Sequence, residues 1–72
     1  MRTFEISSGS IELFKILKFE GLAASGGEAK ALIAEGQVQV NGAVETRKRK
    51  QIVAGDRIDF AGETIQVQAA KA

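Results

Sequence analysis

Four consecutive cations, Arg47, Lys48, Arg49 and Lys50, carry the clearest chemistry in this 72-residue chain. They span about 10–14 Å of chain, which matches the spacing of several phosphates, and their binding to a polyanion would release counterions. Residues 1–46 hold a charge balance of −2 and residues 51–72 a balance of −1, so this tetrapeptide supplies the +4 that makes the chain +1 overall. A solvated loop that only keeps the protein soluble would have the same composition. Against that reading, the run follows a tight turn signal, no acid interrupts it, and no sequence neighbour is expected to neutralise it. A strand-like path would divide Arg47 and Arg49 from Lys48 and Lys50, whereas a loop would let all four reach solvent.

A second anion-binding candidate is Ser25-Gly26-Gly27. Helix N-termini present unpaired N–H groups, and glycines allow close approach of a phosphate. The same residues read equally as a cap and a flexible entry, since Glu28 already uses the positive end. Lys30 falls on the flank shared with Gly26 and extends that surface. Lys15 and Lys18, three apart, are what an amphipathic helix needs in any case. Asn41-Gly42 is first of all a turn, because both residues tolerate positive φ.

Enzyme chemistry is excluded by what is missing. The chain has no His, Cys or Tyr, so the usual general bases, thiol nucleophiles and phenolic acids are absent. Asp56 and Asp59 fall on opposite faces of a strand and are poorly placed to act together. No phosphate loop or dinucleotide fingerprint is present, and no cofactor, metal or small-molecule substrate is expected. With no Trp or Tyr, and its four Phe residues assignable to core or arm, the protein lacks platforms for stacking unpaired bases. Structured RNA, recognised by backbone and shape, fits the composition better. A protein-interaction module docking its basic run on an acidic partner is the alternative, and DNA binding is weaker because neither helix is both exposed and basic. No apolar run is long enough for a membrane span and no signal peptide is evident, so a cytoplasmic location is expected.

The elements that must position these residues follow from period and punctuation. Residues 1–10 read as an extended arm anchored by Phe4 and Ile6, and 69–72 as a flexible tail, around a single domain at 11–68. Ser10 is expected to cap a helix whose apolar face is Ile11, Leu13, Phe14, Ile16, Leu17 and Phe19, stopped by Gly21. Ser25 and Glu28 form a capping box for a second helix with an Ala29, Leu32 and Ile33 stripe, ended by Gly36. Beyond it the period changes to two. Val38 and Val40 lead into Asn41-Gly42, where a three-residue loop would set Val40 against Val44 and a two-residue loop Val40 against Ala43; the apolar phase favours the first. Ile58 and Phe60 form a further strand, and a two-residue turn at Ala61-Gly62 sets Ile58 opposite Ile65. The fold expected is α+β: a two-helix hairpin followed by a small twisted antiparallel β-sheet, one face covered by the helices and the other wet.

The run SGGEAKALIAEGQVQVNG at 25–42, followed by a basic stretch and AGDRIDF, resembles the RNA-binding domain named after ribosomal small-subunit protein four, the alpha-L motif. The resemblance covers about residues 11–60 and is specific in combination rather than in any one piece. The chain is most similar to the short stand-alone bacterial members of the YbcJ type. The resemblance implies a non-catalytic protein that binds structured RNA, ribosomal or transfer RNA, through the helix–hairpin surface. It implies that Ser25, Gly26, Lys30, Asn41 and the run from Arg47 to Lys50 form that surface. Where many members carry Arg, this chain has Glu12 and Gly26, which implies a surface shifted toward the basic run.

Overall fold

The change of period at Gly36 separates both helices from the strands that follow, as expected, while two further strands precede the helices. The computed structural model describes residues 2–7 and 9–70. The helices are α1 (Leu13–Phe19) and α2 (Gly26–Ala34), and the strands are β1 (Arg2–Ile6), β2 (Ile11–Glu12), β3 (Val38–Val40), β4 (Ala43–Val44), β5 (Gln51–Ile52), β6 (Arg57–Phe60) and β7 (Glu63–Ala69). No helix among the described residues is long and apolar enough to cross a membrane.

Helix α2 starts at its capping box. Ser25 Oγ accepts the Glu28 N–H at 3.2 Å, and the Glu28 carboxylate accepts the Ala24 N–H at 3.1 Å, one residue before the group the usual box engages. Helix α1 starts differently from the sequence expectation. Ser10 is not its cap: its hydroxyl donates to Gln51 Oε1 at 2.5 Å, and Glu12 occupies the N-cap without a side-chain bond. The cause is tertiary. Ile11 pairs with Ile52 and Glu12 with Gln51 in a two-stranded antiparallel ladder, so these residues are extended and the helix begins after them.

The main sheet has the order β1-β7-β6-β3-β4. Pairs β3–β4, β3–β6 and β6–β7 are antiparallel as expected. The segment read as an extended arm is extended, and it adds a parallel edge strand, β1 on β7, with Arg2 beside Ile65 and Ile6 beside Ala69. Arg2 fastens this edge, donating to Glu63 at 2.9 Å and to the Glu20 carbonyl at 2.7 Å. Of the segment read as a tail, Ala69 lies in β7 and the Ala70 N–H donates to the Ile6 carbonyl at 2.8 Å; residues 71 and 72 lie outside the described residues.

Alternation puts Ile6, Val38, Val40, Ile58, Ile65 and Val67 on one face, buried against Leu13, Ile16, Leu17, Ala29 and Ile33 of the helices. Gln39, Arg57, Asp59, Thr64 and Gln66 occupy the opposite, polar face. Phe19 departs from the expected apolar face of α1. It is 61% exposed and stacks on Phe4, with ring centroids 6.2 Å apart.

The Asn41-Gly42 turn corrects the favoured register. Val40 pairs with Ala43 and Gln39 with Val44, a two-residue loop that turns Val44 to the polar face, where it is 58% exposed. Local bonding outweighs apolar phase here. Asn41 and Gly42 both take positive φ, 53° and 86°, the pattern of a primed hairpin turn. The Asn41 amide donates to Asp56 and its side-chain carbonyl accepts the Arg57 N–H, each at 2.9 Å. The second turn has the expected register, Ile58 against Ile65, with φ of 51° at Ala61 and 81° at Gly62. Alanine in the left-handed region costs about 1 kcal/mol, which Asn tolerates better. Ala61→Asn is therefore expected to stabilise the protein by about 0.5–1 kcal/mol, measured by denaturant titration; a loss of stability would contradict the assignment of strain to this residue.

Candidate nucleic-acid interface

The basic run is held by its backbone. The Leu13 N–H donates to the Lys50 carbonyl at 2.9 Å and the Phe14 N–H to the Lys48 carbonyl at 3.3 Å, while the Lys50 N–H donates to Arg47 O at 3.2 Å and closes a turn. The first N–H groups of a helix need partners. Here carbonyls of the basic run provide them, which explains why α1 has no side-chain cap. The run is thereby fixed at the start of α1, with Arg47, Lys48 and Arg49 exposed and Lys50 half-buried.

Two acids temper the run, contrary to the expectation that none would. Glu45 takes Arg47 in a fork, Nε at 2.9 Å and Nη2 at 3.1 Å, and also accepts the Arg47 backbone N–H at 3.1 Å. The spacing carries the signal, since residues two apart lie on one side of an extended chain. Glu12 pairs with Arg49 at 3.7 Å and with Lys15 at 3.1 Å. Lys48 and Lys50 have no ion pair among the described residues.

The Arg47 side-chain hydrogen bond is the largest cause holding the Glu45 carboxyl below its ordinary value of 4.5, and the same bond raises the Arg47 guanidinium. A carboxyl lowered by folding stabilises the fold above its ordinary pKa, and that contribution fades as pH falls through the folded value. An NMR titration of the Glu45 carboxyl carbon is expected to give a midpoint below 4.5 that returns toward it in Arg47→Ala. An unchanged midpoint in that variant would separate Glu45 from Arg47.

Phe14 joins the basic run to α2. Its backbone N–H is bound by Lys48, and the Lys30 ammonium sits 4.6 Å above its ring, with Lys15 at 6.0 Å. Gly26 packs under the ring, where an added Cβ would meet Phe14 at 3.6 Å, an ordinary contact. Lys15, Lys30, Gly26 and residues 47–50 therefore gather around the start of α1. Phe14 was read from the sequence only as one member of an apolar face, and its position at this junction follows from the pairing of β2 with β5.

This geometry has relatives. A family model described as the S4 domain matches residues 4–68. The chain belongs to the S4 domain family. It is 54% identical over 70 residues to YbcJ of Escherichia coli (strain K12), a protein whose name assigns it provisionally to RNA binding, across 96% of this chain and 100% of that one. It is equally 54% identical over 70 residues to YbcJ of Shigella flexneri, which is named as uncharacterized. The solution structure of E. coli YbcJ, described as revealing an alpha-L motif involved in RNA binding, matches with a TM-score of 0.75 at 54% identity, covering 96% of this chain and 89% of that one. The two helices and the mixed sheet are thus those of the alpha-L motif.

Within this S4 domain the remaining candidate residues have separate duties. Ser25 is occupied by the Glu28 N–H. Asn41 has its side-chain groups bound by Asp56 and Arg57, and none of its described hydrogen bonds runs to the cluster around Phe14. Lys18, in the last turn of α1, has no ion pair among the described residues. No group of three or more His, Cys, Asp or Glu that could hold a metal occurs among the described residues.

Proposed function

We propose that this S4 domain protein is a non-catalytic, cytoplasmic RNA-binding protein that engages structured RNA, ribosomal or transfer RNA, through phosphate contacts from Arg47, Lys48, Arg49, Lys50 and Lys30. One observation carries the reading: the carbonyls of Lys48 and Lys50 are bonded to the first N–H groups of α1. Cations on a fixed backbone lose little entropy on meeting a phosphate array, whereas a mobile tail must be ordered first. Ser25 and Gly26 shape the neighbouring helix entry, and Asn41 holds the hairpin that leads into the run. The exposed ring of Phe19 lies at the far end of α1 from these cations. The one ring placed among these cations, Phe14, is half-buried and already faces Lys30, so stacking on unpaired bases is not the favoured mode. The relatives' stated involvement in RNA binding points the same way.

The test is a salt series of affinities for a structured RNA, a matched DNA duplex and a single-stranded RNA. If three to five phosphates are contacted, log K against log salt should fall with a slope of about −2 to −4 for the structured RNA, and a variant with residues 47–50 changed to Ala should flatten it. Binding that ignores this change, or the absence of RNA binding at every salt concentration, would overturn the proposal.

A further inference from the structure

The acid inside the basic surface has an unusual set of partners. Glu12 makes no cap bond to α1, because carbonyls of the basic run take the helix's first N–H groups. Its two carboxylate oxygens instead face two different cations, Oε1 toward Lys15 Nζ at 3.1 Å and Oε2 toward Arg49 Nε at 3.7 Å. One cation belongs to α1 and the other to the basic run, so a single anion bridges two segments of the fold. Its backbone is fixed by the pairing of Glu12 with Gln51. The order of exposure also matters: the Glu12 side chain is 23% exposed, against 48% for Lys15 and 70% for Arg49. A solvent-borne anion would meet the cations before the acid.

We propose that Glu12 stands in for a phosphate: in the free protein it holds Lys15 and Arg49 together as a preformed phosphate subsite, which an RNA phosphate takes over by displacing the carboxylate. The inference rests on the RNA-binding reading and assigns one subsite within it. Displacement is feasible because exposed ion pairs contribute little to stability, while an RNA phosphate brings its own charge and releases counterions on binding. Lys30, over the Phe14 ring that Lys15 also faces, supplies further positive charge beside the subsite. Glu12 thus limits affinity while keeping the two cations positioned.

Glu12→Gln keeps the shape and removes the charge. At about 0.1 M salt it should raise affinity for structured RNA about two- to fivefold, and it should steepen the salt slope by up to about 0.9, the value of one phosphate. Glu35→Gln makes the same change of charge at the end of α2, where among the described residues the Glu35 carboxylate accepts a hydrogen bond from Gln37 alone, and should give a smaller gain. Adding Lys15→Ala and Arg49→Ala should abolish the gain from Glu12→Gln. Equal gains from Glu12→Gln and Glu35→Gln, or a gain that survives the loss of both cations, would overturn the subsite. A second arm needs no RNA. At constant ionic strength, inorganic phosphate should shift the Arg49 Nε–H resonance at lower concentration in Glu12→Gln than in the unaltered protein. If RNA binding fails altogether while this difference holds, the subsite stands and the RNA reading falls; the same phosphate response in both proteins would overturn the subsite.

Discussion

An Ile52→Ala variant is expected to lose about 2–5 kcal/mol of stability, because Ile52 is fully buried and the surroundings of a truncated core residue relax only in part into the cavity. A chain of this length holds on the order of 4–10 kcal/mol in total, so the thermal midpoint should fall by at least about 10 °C. Ile52→Val removes one methylene and should cost only about 0.5–1.5 kcal/mol. Ile52 differs from other core residues in its place in the chain. It follows Lys50 by two residues and pairs with Ile11 just before α1, so it fastens the basic run to the core. Below its unfolding midpoint the Ala variant should therefore also bind structured RNA more weakly and with a shallower salt slope. Calorimetry and a binding titration at low temperature check the two parts. Normal affinity in a folded Ile52→Ala protein would show that the run needs no anchor.

Reversing the two lysines of the basic run that have no ion pair among the described residues, Lys48→Glu with Lys50→Glu, is expected to have the largest effect on binding. Each change removes a cation and puts a like charge opposite the phosphates, which at an exposed, solvated site costs about 1–1.4 kcal/mol apiece. Affinity for structured RNA should fall about 30- to 100-fold, a difference that shrinks as added salt screens the charges. The helix start should survive, since α1 uses the carbonyls of Lys48 and Lys50 and not their side chains. Unchanged circular dichroism with the loss of affinity is the expected pair of results. Reversal of Arg47 should be milder at first contact, because Glu45 already occupies its guanidinium. Affinity unchanged by the lysine reversals would move the interface off this surface.

What could be read from the sequence was what neighbours in the chain decide. Ser25 and Glu28 are three apart and found the α2 cap, and Ala61-Gly62 found the register of Ile58 against Ile65, because both are settled within a few residues. The start of α1 is not legible locally, because the deciding bonds come from Lys48 and Lys50, more than 30 residues further on. The parallel pairing of β1 left no local trace, since Phe4 and Ile6 supply only two apolar anchors and their partners in β7 lie at the far end of the chain. At the candidate interface the cations were legible and their restraint was not. The Glu12–Arg49 pair crosses the fold, whereas Glu45–Arg47 and Glu12–Lys15, two and three residues apart, were within local reach. At Asn41-Gly42 apolar phase points to the longer loop, and the side-chain bonds with Asp56 and Arg57 decide for the shorter one.

The pairing of β1 with β7 sets the order in which the molecule can be completed. Arg2 lies against Ile65, 63 positions later, so β1 has no partner until β7 has been made. The helices and the basic run are synthesised in between and must wait, incompletely covered, for the sheet edge that Arg2 fastens. Contacts of such sequence separation slow the search for the native state, because the closure entropy is spent before the pairing repays it. Folding should therefore be a single cooperative step, slower than that of a helical bundle of equal length.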